Sequence, residues 1–218
     1  MIRQDYLMRL LDQLAQALAR VLSLRDNNTP EEALDFLRRE SERLIGIEGG
    51  LLEVLPPDAL RKMTASAEHA IVAARVLEEI ALIREEQGQP HEATAAAVKA
   101  FALYAAVVHI DPTAADEAYR KRITAFGDAC AERGPTPAEL RDLMRGYEAL
   151  GAFARAEDAL FALLDSVESP QDYLSEGLDF YERLSEKSDE ELAQGGLPRS
   201  EIPDGIEELQ EKTGATAS

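Results

Sequence analysis

Residues 136–170 read TPAELRDLMRGYEALGAFARAEDALFALLDSVESP, and this stretch decides the fold. Thr136 stands where a helix N-cap stands. Pro137 fits the first helical position, and Glu139 is placed to complete a capping box. Leu140, Leu143, Met144 and Tyr147 follow at helical spacing. Gly151 supplies the positive φ that ends a helix. Phe153, Ala156, Leu160, Leu163 and Leu164 then mark the apolar stripe of a second helix, which Ser169-Pro170 stops. The stretch predicts one complete helix–turn–helix unit.

The order within it is specific. Leu140-x2-Leu143-Met144-x2-Tyr147 is followed by Gly151, Phe153 and Ala156-x3-Leu160. Ala156 is small where the second helix approaches the first, and Tyr147 and Leu160 fill the gap beside it. This pattern resembles a tetratricopeptide repeat. It departs from that repeat at Leu140, where Trp is usual, at Met144 for Gly, at Leu160 for Phe, and at Pro170, which falls two residues late. A single unit of this kind cannot bury both faces, so neighbouring helix pairs are expected.

Upstream, residues 2–24 read as one helix with a stripe of Leu7, Leu10, Leu11, Leu14, Leu18, Val21 and Leu22. Arg25-Asp26-Asn27-Asn28 forms the turn, and Thr29-Pro30-Glu31-Glu32 repeats the capping signal. Ala33-x3-Leu37 echoes Ala156-x3-Leu160, which marks a weaker first pair. Residues 46–57, GIEGGLLEVLPP, break the helical rhythm. Their apolar residues Ile47, Leu51, Leu52, Val54 and Leu55 suggest a packed connector, followed by a short helix over 58–64. The opening Met1-Ile2-Arg3-Gln4-Asp5-Tyr6 and the run Leu44-Ile45-Gly46-Ile47-Glu48 are similar to those of a bacterial family of unknown function, over most of residues 1–110. That resemblance implies a cytoplasmic bacterial protein and implies no activity.

Residues 65–87 predict a long helix that Gly88 ends, and Pro90 opens the next within two residues. So short a turn forces an antiparallel return. Leu77-x2-Ile80-Ala81 and Ala93-x3-Ala97 fit the repeat, with Arg84 standing where Tyr147 stands in the better copy. Residues 113–133 predict a further helix, capped by Thr113 with Asp116. The spacing of Gly88 and Gly151 is not a multiple of the ~34-residue repeat, so the array is irregular. Residues 170–187 set Tyr173, Leu174, Leu178, Tyr181 and Leu184 on one side as a closing helix. From 188 the chain is rich in acid, Gly and Pro. The expected architecture is an all-α, irregular tetratricopeptide-like solenoid of antiparallel helix pairs over 1–187. Within it, 1–64 is an N-terminal pair with connector and 65–187 the core, and 188–218 is an acidic flexible tail.

Composition bounds function. The chain has 218 residues, 45% hydrophobic and 30% charged, a globular balance. Sparse β-branched residues and frequent Ala and Leu favour helices. A net charge of −19 repels nucleic acid and anionic membrane at long range. Asp5 and Asp12 interrupt the opening apolar run, so it does not read as a signal peptide. Residues 93–110 are the most apolar segment, but Ala-rich and short, and read as a buried central helix rather than a membrane span. Cys130 is the only cysteine, which excludes an intrachain disulfide and reads as a buried inert thiol.

Chemistry-bearing patterns are thin. No Gly-rich phosphate loop follows a strand. His69, His91 and His109 lack metal-ligand spacing, and Cys130 has no nearby His for nucleophilic catalysis. Glu78-Glu79 and Glu85-Glu86 recur seven apart on one helix, and Glu32-x-x-Asp35 is a fragment of a carboxylate motif. A metal-dependent hydrolase or oxidase gathers such groups on facing helices, whereas an ordinary solvated face carries them as well. Arg141 and Arg145 lie i, i+4 on the first helix of the organising unit, on the face that lines the groove of a repeat. There they would fork a partner peptide's carboxylate, or neutralise Asp142 and Glu148. The expectation is a non-catalytic protein- or peptide-binding scaffold with no cofactor, no metal, no nucleic acid and no membrane. Its partner is another protein or peptide, and self-association through the first helix as a homodimer is a further option. The alternative is the small all-α metal enzyme.

Overall fold

The computed structural model of the chain describes residues 2–27, 29–64 and 66–214, with side chains from residue 9 onward. The readings placed on the side chains of Met1 to Tyr6 and of Leu7, on Asn28, on Ala65 and on residues 215–218 lie outside the described residues. All regular structure among the described residues is helical, so the protein is all-α. The chain divides into two compact units, Met1–Gly134 and Pro135–Ser218. The boundary thus falls after Gly134, not at 187. Gly134 takes a left-handed φ of 69°, which ends one helix, and Pro135 precedes the next.

The first unit runs α1 (Ile2–Asp26), α2 (Pro30–Ile45), α3 (Gly49–Val54), α4 (Pro57–Met63), α5 (Ala67–Glu86), α6 (Pro90–Ile110) and α7 (Glu117–Ala131). Its most extensive packing joins α5 to α6. Ala73, Ala74, Leu77, Ile80 and Ile83 of α5 and Ala97, Ala100, Phe101 and Leu103 of α6 are all buried. Helix α6 is long and apolar enough to cross a membrane, yet 72% of its apolar window is buried in the fold. Helix α1 contributes Leu10, Leu14, Ala17, Val21 and Leu24 to the core. Leu11 and Leu22, read as part of its stripe, are exposed.

Two caps differ from expectation for local reasons. Thr29 makes no side-chain cap on α2. Its hydroxyl donates instead to the Leu24 carbonyl at 3.0 Å, closing α1 rather than opening α2. Asp116 caps α7 alone, accepting from the Tyr119 N–H at 2.8 Å, because Thr113 is turned back onto Asp111. The connector is itself partly helical. Helix α3 follows Gly46, whose φ is 71°, and buries Ile47 and Leu52 at its side.

The second unit begins with α8 (Pro137–Leu150) and α9 (Phe153–Asp165). The capping box of α8 is complete. The Thr136 N–H donates to Glu139 at 2.7 Å, and the Glu139 N–H donates to the Thr136 hydroxyl at 3.4 Å. Gly151 ends the helix with φ 78°, and Tyr147, Ala156 and Leu160 are buried. Ser169 makes no cap. Pro170–Tyr173 forms a tight 3₁₀ turn before α10 (Leu174–Ser185), and Leu178 of that helix is exposed.

Residues 188–214 are not a flexible tail. They form α11 (Asp189–Gln194), a 3₁₀ turn at Arg199–Glu201, and α12 (Ile202–Thr213). Leu192, Leu197, Ile202 and Leu209 are all buried. Glycine makes this docking close. A Cβ on Gly177 of α10 would stand 2.7 Å from Leu209, and one on Gly205 would land on the Tyr181 hydroxyl and 2.6 Å from Glu157. A second complete capping box, Ser188 with Glu191, starts α11.

Candidate functional site

Arg141 and Arg145 sit one turn apart on α8 and converge on a single carboxylate, Glu176 of α10. Arg141 Nε donates to both oxygens, at 2.6 and 2.8 Å. Arg145 adds Nη2 at 2.8 Å and Nε at 3.1 Å. The Arg141 guanidinium also lies 5.9 Å from the Tyr173 ring centroid. Burial pushes the Glu176 carboxyl up, but the Arg141 hydrogen bonds and the two guanidinium charges outweigh it and hold the group below the usual carboxylate range. The carboxylate that the sequence assigns to a partner is therefore supplied by the chain itself. Glu148 is held separately, by Arg183 at 2.6 and 2.8 Å.

Glu78, Glu79, Glu85 and Glu86 of α5 are also engaged. Glu79 is buried and lies between Arg25 of α1 at 3.3 Å and Arg75 at 3.2 Å. Glu78 takes Arg75 at 2.7 Å and the Tyr104 hydroxyl at 2.7 Å. Glu86 holds the far side of Arg25, and Glu85 meets Arg133 at 3.1 Å. Burial raises the Glu79 carboxyl above its ordinary value despite both arginines. Asp35 pairs with Arg38 at 3.1 Å. No group of three or more His, Cys, Asp or Glu side chains placed to hold a metal occurs among the described residues. Cys130 is buried, and burial pushes its thiol up to about 12, which keeps it protonated and unreactive at neutral pH.

A concave feature of the first unit lies elsewhere, between α3, α5 and α6. A small open cleft of about 140 Å³ is lined by Glu53, Ile80, Arg84, Glu92, Ala95 and Ala96. Gly49 brings α3 down against α2, since any Cβ there would collide with the Arg38 backbone. That approach sets Glu53 between two guanidinium groups, Arg38 Nε at 2.8 Å and Arg84 Nη2 at 2.9 Å. Lys99 of α6 donates to the Glu53 carbonyl, and Arg84 Nη1 donates to Gln89 at 2.8 Å. Ile80, Ala95 and Ala96 make an apolar floor beneath this polar rim. Sequence reasoning missed the cleft, although it carried two signals. One is Arg84 at the position where the better repeat has Tyr147. The other is the Gly49-Gly50 pair inside an otherwise apolar connector.

Fold and site together define an all-α protein with an apolar-floored cleft, on whose rim Arg38 and Arg84 are held by Glu53. The chain belongs to a family of unknown function, DUF6483, whose sequence profile matches residues 1–214. No curated protein and no solved structure matches it.

Proposed function

We propose that the protein is a non-catalytic scaffold that binds another protein or peptide, built as an irregular tetratricopeptide-like array of antiparallel helix pairs. Three features support the repeat reading. Gly88 and Gly151 make short left-handed turns between α5 and α6 and between α8 and α9. These two helix pairs have the most extensive packing in their units. Ala33, Ala93 and Ala156, the small residues the repeat requires, have no exposed surface.

The cleft carries the functional reading. An apolar floor with a polar rim is the composition of a surface that seats an anchor side chain and fixes its register. Glu78, Glu79, Glu85 and Glu86, which a metal-dependent enzyme would need, each rest on an arginine, and this supports a structural use for them. The test is selection of peptides from a random display library against the full chain, repeated with Ala95→Phe, which fills the cleft from a partly exposed position. Selected peptides should bind the parent chain and lose at least tenfold on Ala95→Phe. Selected peptides that bind both proteins equally would remove the cleft as the binding surface.

A further inference from the structure

We infer that the cleft between α3, α5 and α6 seats a lysine or arginine side chain of the bound partner, an inference that rests on the scaffold reading above. The argument turns on which charges around the cleft are already used. Arg84 spends its guanidinium on Glu53 and Gln89. Arg38 spends its own on Glu53 and Asp35. Lys99 is turned onto the Glu53 carbonyl. An arriving anion would have to break these pairs. Glu92 is different: no hydrogen bond or ion pair joins its carboxylate to another described residue. The unspent valence of the cleft is therefore negative.

The shape fits the same side chains. Glu92, Ala95 and Ala96 lie at i, i+3 and i+4 on α6, so they share one face. Ile80 and Arg84 are i, i+4 on α5 and line the opposite wall. A side chain entering here lays a chain of methylenes across Ile80, Ala95 and Ala96 and presents its end to Glu92, which is exposed at the mouth. Lysine and arginine are the side chains with an aliphatic stem and a cationic head. The net charge of −19 gathers basic segments toward the surface before docking.

The experiment uses the full chain with labelled Ile and Ala methyl groups. It is titrated with a short acetylated, amidated peptide carrying one lysine flanked by leucine and alanine, and with the same peptide carrying norleucine for lysine. The lysine peptide should shift the methyl signals of Ile80, Ala95 and Ala96. The norleucine peptide should bind roughly two- to fivefold more weakly, the range for an exposed ion pair. Glu92→Gln, a change at an exposed site, should erase that difference. If norleucine binds the cleft as well as lysine does, the cationic assignment falls and the scaffold stands. If the lysine peptide moves signals across the acidic surface while Ile80, Ala95 and Ala96 stay fixed, the inference falls. If no peptide moves those three signals, the cleft falls as a peptide site altogether.

Discussion

Arg25→Ala isolates one half of the ion network that joins α1 to α5. In the native chain the Arg25 and Glu79 side chains are 16% and 8% exposed. Stripping one partner from a buried pair costs about 3–5 kcal/mol when the other charge is left alone. Glu79 keeps Arg75 at 3.2 Å, so about half of that cost remains, roughly 2 kcal/mol. The Arg25–Glu86 contact lies at the surface, with Glu86 half exposed, and adds at most about 1 kcal/mol. The expected loss at pH 7 is therefore about 2–3 kcal/mol from the first unit.

The pH dependence has a definite sign. Burial raises the Glu79 carboxyl in the folded state. A carboxyl raised on folding binds its proton more tightly when folded, so stability falls as pH climbs from its unfolded value through its folded one. Removing Arg25 raises Glu79 further and deepens the loss at neutral pH. Acidification to about pH 4, near the ordinary carboxyl value, should shrink the loss to below about 1 kcal/mol. Glu86 acts in the same direction but lower on the scale. The Arg25 hydrogen bond holds its carboxyl down, so its share is present above the ordinary value and is lost as pH falls through the lowered one. Cys130 supplies the assay. It is the only thiol, buried in α7 of the same unit, so trapping it with a dipyridyl disulfide across a urea series reads the opening of that unit. A loss that is the same at pH 7 and pH 4 would refute the reasoning. So would a loss that persists undiminished in a Glu79→Gln background.

Gly205→Ala should cost the second unit about 1–3 kcal/mol, the range for overpacking, because the added methyl meets Tyr181 and Glu157; urea denaturation followed by circular dichroism checks it. Ending the chain after Lys187 removes Leu192, Leu197, Ile202 and Leu209 from the core. At about 1.5–3 kcal/mol per buried side chain the second unit should lose its dispersed amide spectrum, whereas an unchanged spectrum would mean the segment is dispensable. Glu176→Gln should cost only about 1 kcal/mol at neutral pH, since Arg141 and Arg145 are 44% and 40% exposed. Because the Glu176 carboxyl is lowered on folding, that difference should vanish as pH falls through its lowered value, as compared by thermal melts across pH.

Local signals were legible and distant ones were not. Thr136, Pro137, Glu139 and Gly151 act within four residues of one another or at one backbone position, and the capping box and turn stand where their order places them. The partners of Glu53 lie 15 and 31 residues away on other helices, and Arg25 meets Glu79 across 54. No spacing rule along one helix reaches such pairs. Residues 188–214 misled for a different reason. Their buried apolar residues belong to two short helices and a turn, so no single period runs through them. Their glycines suggest looseness, yet Gly195 is set against Phe153 and Gly205 against Tyr181, where any side chain would collide. The spacing of Arg141 and Arg145 points to a partner's carboxylate, or to Asp142 and Glu148, whereas the two meet on a carboxylate of the chain itself. That the carboxylate belongs to Glu176, a helix and a turn further along, was not written in their spacing.

The break after Gly134 gives each half its own fully enclosed side chains, Phe101 and Leu77 in one and Phe180 and Leu143 in the other. A calorimetric trace of this chain is therefore free to show two heat-absorption peaks. A lesion such as Gly205→Ala should displace one of them and leave its companion in place, so tolerance to mutation is kept in two separate accounts along one polypeptide.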